Sequence, residues 1–468
     1  MAVAHAELKG DFERRRKGTS SPSLFVFMIK RNNCFVQNEE KYAILFNPHN
    51  FSVAQLDNSE CLKEEDIIDN LSDEIKNKLF EKQIFIQSDE DAVSISRYFS
   101  NKIKYGRKMT ISDAMTFNCN MSCIYCFENG TKNNKKKLLP AERIKCVSNV
   151  IDTYAHDFDY LDYIFFGGEP MLEKKYIEQM CSFLNNKYKD KKILFSITSN
   201  GTLIDDCFIN IANEYDFKEI RITLDGVENV HNCRRKMIDG SKSFALIINN
   251  INRLCKETNI RIVINTVMDS KNAPSYKQFI EYIVDEFRDY IITSSPRIVF
   301  NLGELCHPML ETEYTEKTKN DNSNSNILYY EFSEILLNKG ATITSPFYAS
   351  NCLNSIEKSF TISPDGSIYK CVTGLGSPLF LLTKYQKDLF VNDLINNNII
   401  QIEKSHRAEC FNCDFLTMCN GGCKCQHYEN NYPLCRKELL VEELPYLMHL
   451  LTLGSFKSDG LFHGRNKV

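Results

Sequence analysis

The stretch Thr116-Phe-Asn-Cys-Asn-Met-Ser-Cys-Ile-Tyr-Cys-Phe127 sets three thiols, Cys119, Cys123 and Cys126, in a CxxxCxxC array directly after a run of strand character over 110–116. Three thiolates so spaced can hold three irons of a [4Fe–4S] cube and leave the fourth iron without a protein ligand. A structural iron–sulfur or zinc centre normally takes four protein ligands, whereas a reactive metal keeps one position open. The competing reading is a chance cluster of packed thiols, because free Cys is among the most buried residue types. The sequence that follows the triplet separates the two.

From Met109 the chain repeats strand–helix units. Strand patterns fall at 110–116, 160–166, 193–198, 219–224, 261–267 and 297–301, with helical patterns between them at 140–155, 174–188, 204–214, 243–256 and 275–288. Six β/α units imply a parallel sheet with right-handed crossovers, and six rather than eight imply a partial, open barrel. In parallel α/β architectures the site forms where loops leave the C-terminal ends of the strands. The chemistry-bearing residues all fall there. The CxxxCxxC loop follows the first strand, Phe166-Gly-Gly-Glu-Pro170 ends the second, Ser199-Asn-Gly-Thr202 the third and Leu224-Asp-Gly226 the fourth. Glycines at 167 and 168 let the backbone approach a ligand closely, and Glu169 can accept from an ammonium group. Gly-Gly and Asn-Gly are ordinary turns taken singly; their ordered recurrence after consecutive strands carries the weight.

These residues resemble the radical S-adenosylmethionine (SAM) family over about residues 109–310, with Tyr125 supplying the aromatic just before the last Cys. The resemblance implies a partial (β/α)6 TIM-like barrel of α/β class. It also implies a cluster on Cys119, Cys123 and Cys126 whose open iron binds SAM and cleaves it to a 5′-deoxyadenosyl radical. By the same resemblance Gly167, Gly168 and Glu169 bind the SAM amino end, and Ser199, Asn200 and Thr223 contact the ribose or the methionine carboxylate. Tyr125 sits beside the adenine. Asp225 and His231 match a Leu-Asp-Gly…His…Arg pattern of the peptide-modifying branch, with Arg234 or Arg235 as its basic residue.

A second cysteine field lies near the C-terminus: Cys352, then Gly366-Ser-Ile-Tyr-Lys-Cys371, then Cys410, Cys413, Cys419, Cys423 and Cys435. Such density is too high for core packing. A zinc ribbon also uses CxxC pairs. The layout resembles the SPASM domain of radical SAM enzymes, which implies two auxiliary [4Fe–4S] clusters and three clusters in all. Cys352, Cys371 and Cys423 would hold the first auxiliary cluster, and Cys410, Cys413, Cys419 and Cys435 the second. The first has three matching ligands. Either Cys425 or Cys306 completes it, or one iron stays open to a substrate thiolate.

The 468 residues are enough for two to four domains by the usual size range of roughly 100–200 residues each. The division expected is a disordered lead-in over 1–21, a small α+β winged-helix-like module over 22–105, the barrel over 106–315, and a linker with a helix over 316–345. A Cys-rich SPASM part over 346–436 and a C-terminal helix and tail over 437–468 follow. In the N-terminal module, strand runs at 23–29, 34–36 and 42–46 precede helical patterns at 64–80 and 89–103. A formal charge of −4 gives no reason to expect nucleic acid or an anionic membrane as partner. No apolar run approaches the ~18 residues needed to span a bilayer, and the first residues lack the apolar centre of a signal peptide. Nineteen Cys without an export signal point to reduced thiols in the cytoplasm.

Enzymes of this two-part layout modify ribosomally made peptides or protein side chains. The expectation is a maturase that takes a precursor peptide by its leader as an added strand on the N-terminal sheet. A donor such as flavodoxin or ferredoxin supplies the electrons, and the product is a Cys thioether of the sactipeptide or ranthipeptide kind. Carbon–carbon cross-linking and side-chain oxidation stay open. The sulfatase-maturase branch carries an acidic residue after the Cys of the GxxxxC element, and this chain has Val372 there. A non-catalytic iron–sulfur carrier would need the Cys fields but not Gly167-Gly-Glu-Pro170 or Ser199-Asn-Gly201.

Overall fold

Burial alternates along the strands of the repeat, as in Tyr160–Phe166, where Leu161, Tyr163 and Phe165 point into the core. That period of two, followed each time by a helix with one apolar face, forces a parallel sheet covered by helices. The computed structural model describes residues 29–31, 34–38, 42–57, 71–128, 137–304, 314, 325–344, 352–386, 391–423, 428–429, 432–433, 435–453, 456–457 and 466–467. All six expected strands are present: Lys108–Ala114, Tyr160–Phe166, Lys192–Ser199, Glu219–Thr223, Arg261–Met268 and Ile298–Glu304. They pair in parallel in that order. The helices Pro140–Thr153, Lys174–Lys187, Asp206–Glu214, Phe244–Glu257 and Tyr276–Glu286 lie between them in sequence, and their apolar faces supply Val147, Ile177, Phe208, Ile247 and Phe279 to the main core.

The sheet does not stop at six strands. Ser359–Ile362, from the Cys-rich part, adds in parallel to the free edge of Lys108–Ala114, with Ser359 beside Thr110 and Ile362 beside Asp113. Ser367–Tyr369 and Leu381–Lys384 follow antiparallel. At the opposite edge, Ile343–Thr344 and Phe456–Lys457 add in parallel, giving an open order of eleven strands. Sequence periodicity does not report these additions, because a two- to four-residue strand carries no readable period.

Four strands of the N-terminal part, Ile29–Arg31, Cys34–Asn38, Tyr42–Asn47 and Ser52–Asp57, form an antiparallel meander, and Asn466–Lys467 pairs in parallel with the last of them. Ser52–Asp57 and Asn466–Lys467 are not among the expected strands, and all but the end of the 23–29 run lies outside the described residues. One face of this sheet (Val36, Ala43, Leu45, Leu56) closes a small core with Leu79 and Phe85. The other (Phe35, Ile44, Phe46, Val53) joins the main core. Residues 64–70 of the helical pattern read over 64–80 lie outside the described residues. Its helix is Asp73–Glu81, started by Ser72, whose hydroxyl accepts from the Ile75 N–H at 3.3 Å. Such a cap followed by Asp73 and Glu74 fixes a helix start regardless of apolar spacing upstream. The second helix, Asp89–Lys104, and the last, Lys437–Leu453, fall where the periodicity predicts.

Candidate functional site

The C-terminal ends of the first four strands converge on the triplet loop. Gly167 adopts φ +97°, and a Cβ there would lie 2.5 Å from the Thr116 carbonyl oxygen. At Gly168 a Cβ would lie 2.0 Å from that of Asn118. What approaches these glycines is therefore the backbone leading into Cys119, and the Glu169 N–H closes the contact by donating to the Asn118 carbonyl at 2.9 Å. Glu169 is fully buried. Its carboxylate accepts from the Met171 N–H at 3.0 Å, the Ser199 hydroxyl at 2.9 Å and the Asn200 N–H at 2.7 Å. It thereby braces the second loop to the third. Burial raises its pKa, against these donors and the nearby Arg235.

The third loop in turn grips the cysteines. The Asn200 side-chain amide donates to the Asn120 side-chain carbonyl at 2.7 Å and lies 3.9 Å from the Cys119 sulfur. Asn120 donates to the Thr202 hydroxyl at 2.8 Å. The Met121 N–H points at the Cys119 sulfur at 3.4 Å. Burial pushes the Cys119 thiol up, while that N–H favours the thiolate.

The far side of the loop is stitched to the short strand Arg235–Met237, which follows the helix Glu228–Arg234 after the fourth strand. Met121–Cys123 pairs antiparallel with Arg235–Met237, Cys123 standing opposite Arg235, and the Ile124 N–H donates to the Arg234 carbonyl at 3.0 Å. Tyr125 is buried; its hydroxyl donates to Asp225 Oδ2 and accepts from Arg235 Nη1 at 2.8 Å. Asp225 Oδ1 accepts from the Val267 N–H at 3.2 Å. Arg234 lies 5.1 Å over the Tyr125 ring and spends its own donors elsewhere: both oxygens of Asp269 (2.9 and 3.1 Å), the Tyr314 hydroxyl (3.0 Å) and the Val267 carbonyl (3.3 Å). His231 is buried beside this network, its Nδ1 accepting from the Asp225 N–H at 3.4 Å and its Nε2 3.1 Å from the Ser243 hydroxyl. Burial, with Arg235 and Arg234 adding, pushes its pKa down to about 3. It is a neutral positioning residue.

Sequence reasoning missed a polar row along the inner strands. The Asn265 amide donates to Thr223 at 3.4 Å, Asn301 to Asn265 at 2.7 Å and the Thr344 hydroxyl to Asn301 at 2.8 Å. The signal available was a polar residue at mid-strand in otherwise apolar runs, Ile-Asn-Thr and Phe-Asn-Leu.

The second field divides into two groups. The charges of Cys410, Cys413, Cys419 and Cys435 act on one another, and burial pushes Cys419 up to about 12 against the Arg436 cation. Cys371 and Cys423 instead pack around Ala114, Tyr369, Leu375 and Phe380, with Phe117 and Phe166 alongside. The Cys371 sulfur lies 3.2 Å from the Thr373 hydroxyl. Cys352 precedes the short helical turn Leu353–Ser355. Cys425 and Cys306 lie outside the described residues. Among the described residues, no three His, Cys, Asp or Glu side chains are grouped closely enough to hold a metal ion.

The sequence of residues 114–283 matches the radical SAM superfamily. The chain is 25% identical over 335 residues to the cysteine-type anaerobic sulfatase-maturating enzyme of Clostridium perfringens strain 13, covering 65% of this chain and 86% of that enzyme. Its fold matches a solved structure of hexahistidine-tagged anSMEcpe with bound AdoMet at a TM-score of 0.57 and 20% identity, covering 73% of this chain and 98% of that one. A structure of native anSMEcpe with bound AdoMet and the Cp18Cys peptide gives 0.56 over the same shares, also at 20% identity. The parallel sheet, the triplet loop at its C-terminal end and the superfamily match agree: residues 114–283 of this chain form a radical SAM domain.

Proposed function

We propose that the chain is a maturase that modifies a ribosomally made peptide and closes a Cys thioether between its two cysteine fields. The observation that carries this reading is that Cys371 and Cys423 pack on the small cluster of Ala114, Tyr369, Leu375 and Phe380, on which Phe117 and Phe166, from the triplet loop and the end of the second strand, also pack. A substrate thiol held by the second field would thus stand close to the mouth of the sheet.

Cys119, Cys123 and Cys126 would hold three irons there, the Met121 N–H and the Asn200 amide serving the Cys119 sulfur. The cluster, bound with SAM, supplies one-electron chemistry able to remove a hydrogen atom from an unactivated carbon. Gly167, Gly168 and Glu169 shape the loop that meets the SAM amino end. Ser199, Asn200 and Thr223 line the ribose and carboxylate side, and Tyr125 the adenine side. Asp225 orients Tyr125, and Arg234 and Arg235 flank it. Cys352, Cys371 and Cys423 are assigned to the first auxiliary cluster, with Cys425 or Cys306 as further candidates. Cys410, Cys413, Cys419 and Cys435 are assigned to the second.

The leader of the precursor would add to the Ile29–Arg31 edge of the N-terminal sheet, and a flavodoxin or ferredoxin would supply electrons. Its many cysteines, kept reduced as cluster ligands, suit a cytoplasmic enzyme. Among the described residues no helix is long and apolar enough to cross a membrane.

A second reading, oxidation of a protein side chain, is favoured by the likeness to sulfatase-maturating enzymes over 335 residues. Against it stands Val372, at the position where that branch carries an acidic residue. The test is to incubate the reduced protein and SAM with a Cys-bearing precursor peptide from a neighbouring short reading frame. Loss of two hydrogens, with the Cys no longer open to alkylation, is expected. Unchanged peptide mass would overturn the thioether reading, and turnover of a sulfatase-derived Cys peptide instead would establish the second.

A further inference from the structure

Two adjacent arginines enter the triplet site, and their surroundings differ. Arg234 is neutralised: Asp269 binds it at two oxygens, and Asp225 stands 3.6 Å from its Nε. Arg235 is as deeply enclosed, 8% exposed; among the described residues no carboxylate lies within ion-pair distance of it, and the Asp225 charge reaches it across the Tyr125 hydroxyl, alongside that of Cys123. Its guanidinium donates to the neutral Tyr125 hydroxyl, and its buried Nε, like that of Arg234, has no hydrogen-bond partner. A buried guanidinium with an unused donor carries a desolvation cost unless an acceptor or an anion lies next to it. The register supplies that anion. Arg235 stands directly opposite Cys123 in the antiparallel pair, and side chains directly opposite one another share a face of the ladder. Its charge also acts on Cys119 and on Glu169.

We infer that Arg235 is the cation that balances the Cys123 and Cys119 thiolates and so raises the reduction potential of the cluster assigned to the triplet. The inference rests on that assignment. The physical reason is charge: reduction adds one electron to a site already holding thiolates, and a fixed cation in a water-poor setting favours the more negative state. Tyr125, held by Asp225, positions the guanidinium, which makes the Asp225–Tyr125–Arg235 chain a positioning device for the cluster's charge.

The experiment is an EPR-monitored redox titration of the reconstituted holoenzyme, dithionite supplying the electrons, following the reduced-cluster signal that added SAM perturbs. Arg235→Gln should lower the reduced fraction at fixed poise about tenfold, ~59 mV for a one-electron couple. Arg235→Lys, which keeps the charge, should stay near wild type. An unchanged potential in Arg235→Gln overturns the inference, as does an Arg235→Lys shift equal to that of Arg235→Gln, because geometry rather than charge would then set the potential. If Arg235→Gln takes up no cluster while Arg235→Lys does so at the wild-type potential, the need for the charge is confirmed. Should neither variant assemble, Tyr125→Phe decides: a smaller shift in the same direction supports the inference and none overturns it. Absence of any SAM-perturbed signal in the wild type would overturn the assignment of the triplet itself, a failure distinct from an unmoved potential.

Discussion

The triplet loop and the Cys410–Cys435 group are both dense in thiols, but they are held by different parts of the chain. The triplet is fixed from within the barrel, by Gly167–Glu169, Asn200 and the Arg235–Met237 strand. The Cys410–Cys419 loop is fixed from the other end of the sequence. Phe35 stacks on Phe415 at 5.6 Å, Thr417 donates to the His49 carbonyl at 2.8 Å, Arg97 reaches the Phe411 carbonyl and the Asn412 side chain, and Ser100 reaches Asn420. The first centre should therefore depend on the barrel alone. The second should report how well the N-terminal sheet and helix are docked.

The largest effect expected is at the triplet. Cys123→Ala should abolish SAM cleavage to 5′-deoxyadenosine by the reduced protein while leaving iron at the Cys410 group. Cleavage at the wild-type rate would break the comparison at its root. Next comes the seam that joins the two fields. Asp113, buried on the first strand, takes Arg143 on one oxygen, and Tyr163 (2.5 Å) and Tyr176 (2.9 Å) on the other, while Arg143 also donates to the Ser363, Ile362 and Ala114 carbonyls. Arg143→Ala strands that carboxylate and should cost about 3–5 kcal/mol in denaturant unfolding, lowering iron content in both fields.

Phe35→Ala tests the division itself. Truncating a buried Phe costs about 3 kcal/mol or more, and here the loss should fall on iron bound by the Cys410 group, with SAM cleavage retained. An equal loss at both centres would show that they are not separately held. A smaller effect is set by pH. The folded pKa of His231, about 3, lies below its usual value of 6.5. The unfolded chain binds the proton first, so stability is full above about pH 6.5 and falls as pH drops below it. Linkage gives a loss of roughly 2 kcal/mol at pH 5. His231→Gln should flatten that limb of the stability–pH curve. The smallest expected change is Arg97→Ala, about 1 kcal/mol from two exposed hydrogen bonds, with a slight fall in iron at the Cys410 group.

Much of the site was readable because its residues are local in sequence. A turn glycine, a CxxxCxxC spacing and the end of an apolar strand are short-range signals, and the six strands and five helices of the barrel declare themselves by period. What the glycines at 167 and 168 are for was not readable. They admit the Phe117–Asn118 backbone, a partner some 50 residues away, and no local pattern names that partner. The start of the helix at Asp73 was legible in Ser72-Asp73-Glu74.

By itself, then, the sequence determined the strand–helix order of the barrel, the two thiol fields and the turns that carry polar groups to one end of the sheet. These follow from side-chain period and backbone sterics, which act within a few residues. Only the tertiary structure decided that Ser359–Ile362 pairs alongside the first strand and that Cys371 and Cys423 pack on the cluster to which Ala114 belongs. It also decided that Arg235 rather than Arg234 faces the thiols, and that the N-terminal sheet clamps the Cys410 loop. Strand pairing and charge balance are settled by which surfaces and charges meet across the fold, and a polar row such as Thr223–Asn265–Asn301–Thr344 exists only once its strands lie side by side.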